Sequence, residues 1–281
     1  MRLHSKSACM LAALLVAALL SCRPAAADDN DTLYRATAVV SGQGEERQAL
    51  GFALCLKDVL VKVSGDPRLA DNDRVNRLTG LAGTFVTGFG YRDRLSGRPL
   101  HDEQGSYDRP HDLTCDFDRQ KIDALLGSLG SKPWPAPRPR VALMLVVSDM
   151  KGRVFTLTTD SVGSQDEDMR GSLAAASDRL ALPFILPGQA ALSAAGLDAG
   201  TLPKTELAGI ASIADGDMAV VGTLTWSDKA LGWVADWRLA AGTKTYGWHA
   251  RGVGYDDAFR NVVAGAAQIL SGNGQPADLV K

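Results

Sequence analysis

The chain has 281 residues, a formal net charge of −2 and a hydrophobic fraction of 46%, which suffices for one large or two ordinary globular units. Without an excess of basic residues to concentrate phosphate, nucleic acid and anionic membrane surfaces are poor partners.

Residues 1–27 read as an export signal. Arg2 and Lys6 form a basic start, Ala8 to Leu20 an apolar run, and Ala25-Ala26-Ala27 a small-residue cleavage site. Cleavage would leave 254 residues beginning at Asp28, and because the leader holds three basic residues and no acidic one, the net charge would fall to −5. The leader's apolar run is shorter than a membrane span, and no later run of about 20 uncharged apolar residues follows, so the mature chain is expected to be periplasmic, without a transmembrane segment. Leu19-Leu20-Ser21-Cys22 is an imperfect lipidation box, which makes a form anchored through Cys22 the rival. With Cys9 in the leader as well, Cys55 and Cys115 remain. In an oxidising compartment they are candidates for a disulfide closing a loop of about 60 residues; two buried free thiols are the alternative.

Residues 28–131 form the first expected domain. Leu33 to Val40 is a strand and Glu46 to Val63 a helix, with Phe52, Leu56, Val59 and Val63 on its inner face and Ser64-Gly65-Asp66-Pro67 ending it. A second helix is expected from Asp71 to Phe89, although Gly80, Gly83 and Gly88 weaken it; their spacing fits no phosphate-cradling loop. The most polar stretch is Tyr91 to Asp112. His101, Asp102, Glu103, Asp108, His111 and Asp112 could supply metal ligands or a carboxylate-oriented histidine base, and a solvated surface loop is the competing reading. Leu113 to Phe117 alternates as a short strand, and Asp118 caps a helix running to Leu129.

Residues 132–140 form a linker in which Pro133, Pro135, Pro137 and Pro139 impose extended geometry. VLVKVSGD (Val59 to Asp66), Phe117-Asp118 and the Leu-Gly-x-x-Pro-Trp followed by Arg-Pro (Leu129 to Pro139) resemble the motifs of domain-of-unknown-function family 2066, exported proteins of Gram-negative bacteria. The resemblance, strongest from Tyr34 to Val147, implies an α/β envelope protein without an assigned activity and carries over no site residues.

The second expected domain, residues 141–271, opens with the apolar run Val141 to Val147, suited to a strand buried on both faces. Val154 to Thr159 is a strand, and Gln165 to Leu180 a helix whose Asp166, Glu167 and Asp168 complement its dipole. A short strand (Leu182 to Leu186) and two short helices (Gln189 to Ala195, Glu206 to Ala214) follow. Met218 to Trp226, Gly232 to Ala240 and Lys244 to Val253 form an antiparallel meander, closed by a helix from Asp257 to Leu270. Trp226, Trp233, Trp237 and Trp248 would pack beneath that helix; a platform for glycan rings is the alternative. Residues 272–281 are expected to be a loose tail.

The expected fold is therefore α/β with α+β character, two helix-on-sheet domains. No G-x-S-x-G, S-x-x-K, H-E-x-x-H or C-x-x-C motif occurs. The expectation is a binding or accessory protein of the cell envelope, without cofactor or catalysis, whose partner is an envelope protein or peptidoglycan. A metal-assisted hydrolase using the His101/His111 loop is the alternative.

Overall fold

The structure, a computed structural model, describes residues 32–97, 109–197, 200–202 and 207–281. Strand β1 (Arg35–Ser41) alternates exposed and buried positions, as a strand with one covered face must. It leads into helix α1 (Glu45–Ser64), which buries Cys55, Leu56, Val59, Leu60 and Val63 and ends on Gly65 in the left-handed conformation.

The expected second helix is broken. Only α2 (Asp73–Leu78) is α-helical; 3₁₀ turns cover Pro67–Asp71 and Thr79–Phe85, and strand β2 (Val86–Asp93) takes the rest. Glycines at 80, 83 and 88 lower the helix's stability, while Val86 to Asp93 gains a full ladder with β3 (Pro110–Phe117). Both ends of the polar stretch Tyr91 to Asp112 are thus strand rather than loop. Asp118 caps α3 (Arg119–Ser128) by accepting from Lys121 N–H at 3.1 Å. The three strands form an antiparallel sheet in the order β1-β3-β2.

The larger, mixed sheet has the order β10-β9-β8-β7-β4-β5, with β6 also beside β4. Its elements are β4 (Val141–Ser148), β5 (Val154–Thr156), β6 (Phe184–Ile185), β7 (Met218–Ser227), β8 (Gly232–Ala241), β9 (Lys244–Val253) and β10 (Leu279–Val280), with helices α4 (Ser164–Leu180), α5 (Gln189–Ala194), α6 (Leu207–Ile213) and α7 (Tyr255–Leu270). Val141, Leu143, Leu145 and Val147 face the main core, while Met144 joins Leu192, Ile210 and Val221 in a second cluster on the opposite face. That double burial explains why β4 is apolar throughout. The main buried cluster is continuous from Leu33 to Ile269 and includes side chains of both sheets.

Three tryptophans of the meander are core, and Trp226 is half-buried, edge-on to Trp233. Trp233, Trp237 and Trp248 are buried beneath α7, with Trp237 directly opposite Trp248 across β8 and β9. Glycines make room for the rings: a Cβ on Gly222 would lie 2.2 Å from the Trp237 ring and 2.8 Å from Asp236 O. Neither group can retreat, one being a packed ring and the other backbone. Gly222→Ala is therefore expected to destabilise the protein by about 1–3 kcal/mol through overpacking, seen as a lower urea midpoint at unchanged slope; an unshifted midpoint would show that β7 and β8 can separate freely.

The last ten residues, expected to be loose, are docked. Leu279 and Val280 pair in parallel with β9, Asn273 donates to Ser64 O, and Asp278 accepts from His249 N–H. Their polar composition looks mobile in sequence, but the polar groups meet backbone partners far away along the chain. Among the described residues no helix is long and apolar enough to cross a membrane.

Candidate functional site

The proline-rich segment is tied down at both ends of the joint. Trp134 N–H donates to Val63 O at 2.7 Å, in the last turn of α1, and Trp134 and Ala136 pack on the shared core. Arg138 holds the joint from inside. It is 9% exposed, its guanidinium lies 4.3 Å from the Trp134 ring centroid, and it donates to three carbonyls: Leu180 O at the end of α4, Lys62 O at the end of α1, and Trp134 O. Leu180 O and Lys62 O are carbonyls that helix ends leave unpaired, so a buried cation there satisfies both helices at once. Arg138 has no carboxylate partner among the described residues, and its Nε has no hydrogen bond there. Burial alone lowers its pKa to about 10.

Beside Arg138 opens a cleft of about 570 Å³ between the two halves of the fold, within the roughly 300–1,000 Å³ typical of small-molecule sites. Leu33, Pro137, Ala181, Leu182, Pro183 and Phe184 supply an apolar wall; Lys62, Arg138, Ser177 and Asp178 supply the polar groups. The Lys62 ammonium donates to Arg35 O at 2.8 Å. Its pKa is lowered, first by burial and then by Arg138, with Asp58 and Asp178 pulling the other way. Ser177 Oγ donates to Leu182 O and accepts from Phe184 N–H, which fixes the turn out of α4. That hydroxyl has no histidine beside it among the lining residues. Apolar walls around a half-desolvated ammonium can hold a ligand that joins an anionic group to hydrocarbon.

The histidine region is arranged differently from a reactive cluster. His111 is buried in β3; its Nδ1 lies 2.7 Å from Arg109 O and its Nε2 3.0 Å from Gln43 Nε2. A carbonyl can only accept, so Nδ1 carries the proton and Nε2 accepts from the Gln43 amide, which occupies both ring nitrogens. Asp112 points to the other face of the sheet, where it meets Arg92 at 2.7 Å and Arg94 at 3.5 Å. His101, Asp102, Glu103 and Asp108 lie outside the described residues, as does Cys22. Among the described residues no group of three His, Cys, Asp or Glu side chains is placed to hold a metal. Cys55 and Cys115 are brought together: both are buried and unbridged, with the sulfurs 2.9 Å apart.

Sequence reasoning missed the buried charges. Asp166, expected to act only on the helix dipole, is 2% exposed and bound by Arg153, which also holds Asp149. A signal existed in the Asp149-x-x-x-Arg153 spacing across a glycine turn. Arg138 gave none, since a Pro-Arg-Pro string reads equally well as exposed linker.

Comparison with known proteins gives one partial match. No curated protein and no solved structure matches the chain. The resemblance to family 2066 is overturned: the family model that matches is a different one, and the motifs behind the resemblance are general devices here, a glycine-capped helix end, an aspartate N-cap and a proline stop. Residues 27–135, which include the first sheet and its helices, match the model described as domain of unknown function DUF8605.

Proposed function

We propose that this chain is an exported, non-catalytic binding protein of the cell envelope, and that the cleft at the proline joint is its small-molecule site, taking an apolar anion. The observation that carries the ligand class is the pairing of Lys62 with an apolar wall beside an Arg138 that has no carboxylate partner. A carboxylate or sulfonate seated at Lys62 would supply the ion-pair partner that neither Lys62 nor Arg138 has among the described residues, and its hydrocarbon part would cover Ala181 and Phe184. The export half of the reading rests on the basic, apolar and small-residue order of residues 1–27.

Anilinonaphthalene sulfonate is a suitable probe, with dodecanoate as competitor. One saturable site is expected, weakened about tenfold by Lys62→Gln, the loss of about 1.4 kcal/mol that one charge-assisted contact supplies. Because burial lowers the Lys62 pKa, affinity should decline with rising pH before the ordinary lysine range is reached. Equal binding by the wild type and Lys62→Gln, or no displacement by dodecanoate, would reject the cleft as the site.

A further inference from the structure

Natural sheets blunt their edges, because an open edge invites another strand. Three edges here are dealt with in this way. β9 is covered by β10 and by Asp278, β5 is only three residues long, and β2 carries a register shift between Val86 and Gly88. The outer edge of β1 is not. It is seven residues long, in unbroken register with β3, and has no strand beside it among the described residues.

The polarity of that edge follows from the ladder. Tyr34 O accepts from Phe117 N–H, and Gly42 N–H donates to Arg109 O, so the even-numbered residues between them address β3 and the odd-numbered ones face outward. Lys62 takes Arg35 O. Thr37, Val39 and Ser41 are left with outward N–H and C=O groups and no backbone partner among the described residues.

A groove of about 410 Å³ runs between this edge and α1. Leu50 and Leu54 of α1, each about half exposed, form its apolar floor, and Arg47 and Lys57 flank them on the same stripe of the helix with no carboxylate among the lining residues. Neither cation has a salt-bridge partner among the described residues. We propose that this groove accepts an extended segment of a partner protein in which every second side chain runs acidic, apolar, acidic, added as a fourth strand to β1. Side chains at every second position turn to the α1 side of the sheet, so an acidic, apolar, acidic order at those positions would set the apolar one on Leu50 and Leu54 and the carboxylates towards Arg47 and Lys57, while the backbone pairs with Thr37, Val39 and Ser41. A second copy of this chain is a poor occupant, since it brings the same two cations to the groove and no carboxylate. The groove is separate from the proline-joint cleft, so either can fail alone.

The test uses the intact mature chain and a fluorescein-labelled octapeptide with Glu, Val and Glu at its second, fourth and sixth positions and Thr elsewhere, read by anisotropy. Saturable binding is expected, and the Arg47→Glu, Lys57→Glu double variant should weaken it by about tenfold or more, since two attractions become repulsions. Methylating alternate peptide nitrogens should weaken it comparably, because ladder donors are removed while side chains stay. Both substituted positions are on the surface, and an unchanged urea midpoint will show that the variant is folded. Equal binding of the same octapeptide with Lys in place of Glu, or indifference to N-methylation, would overturn the proposal. So would a dimer in light scattering that Leu50→Glu converts to monomer, since the edge would then be taken by a second copy.

Discussion

Replacing Arg153 by Ala is expected to remove about 3–5 kcal/mol of stability, the usual loss when a buried charge loses its partner. Asp149 and Asp166 have side chains only 4% and 3% exposed, and Arg153 binds both: Nε to Asp149 at 3.1 Å, Nη2 to Asp166 at 2.6 Å. Arg153 itself is 43% exposed and lies over the Phe155 ring. Its attraction to the carboxylates is therefore screened, and the cost is set by what is left behind. Asp149 keeps backbone donors from Lys151 and from residue 153. Asp166 has no other side-chain hydrogen bond among the described residues, so most of the loss should come from it. Asp166→Asn in the Arg153→Ala background should accordingly recover a sizeable part, which a double-mutant cycle in urea would measure. Burial pushes the Asp149 carboxyl up, but hydrogen bonds from the Arg153 side chain, Arg153 N–H and Lys151 N–H outweigh it and hold the pKa below the ordinary value. With the folded-state value depressed, that contribution is complete above the unfolded-state range near about 4 and is lost as pH falls through the folded value. A loss below about 1 kcal/mol for Arg153→Ala would be a surface-pair result and would mean that water reaches both carboxylates.

What the sequence made legible was periodicity. The alternation in β1, the three-and-four spacing in α1 and the apolar run of β4 each reflect one or two covered faces, and the meander was marked by its turns. What escaped was structure decided by distant partners. β2 contains Gly88 and Gly90 and is only half covered, so its pattern is weak until β3 pairs with it. The tail is held by Asn273, Gln275 and Asp278 bonding to backbone groups at 64, 247 and 249, a polar set that in sequence reads as solvated. The same reason hid the candidate cleft. Lys62 looks like a surface residue of an amphipathic helix, and only the approach of residues 136–138 and of the turn after α4 makes it the charged end of an apolar recess.

If the chain is exported as proposed, oxidation of Cys55 and Cys115 to a disulfide is expected, with a stabilisation of about 4 kcal/mol from closing a loop of some 60 residues in the unfolded chain. Cys55 sits on the sheet-facing side of α1 and Cys115 on the α1-facing side of β3, both fully buried. The Cys115 thiol donates to Cys55 Sγ at 2.9 Å. Within the hydrogen-bonded sulfur pair Cys55 is the thiol that keeps its proton, and this, followed by burial, pushes it well above its ordinary pKa, so the folded, reduced protein should oxidise slowly. Bridge formation must then occur while the chain is still open, and the redox state of the mature protein becomes a record of the compartment in which it folded. Protein recovered from the periplasm should resist alkylation in denaturant until reduced, and reduction should lower its urea midpoint. Protein made in a reducing cytosol without residues 1–27 should alkylate at both cysteines and unfold at the lower midpoint from the start. A Cys55→Ala, Cys115→Ala double variant should unfold near the reduced form wherever it is made. Two freely alkylating thiols in the periplasmic protein would leave the pair as core packing and remove the link between compartment and stability.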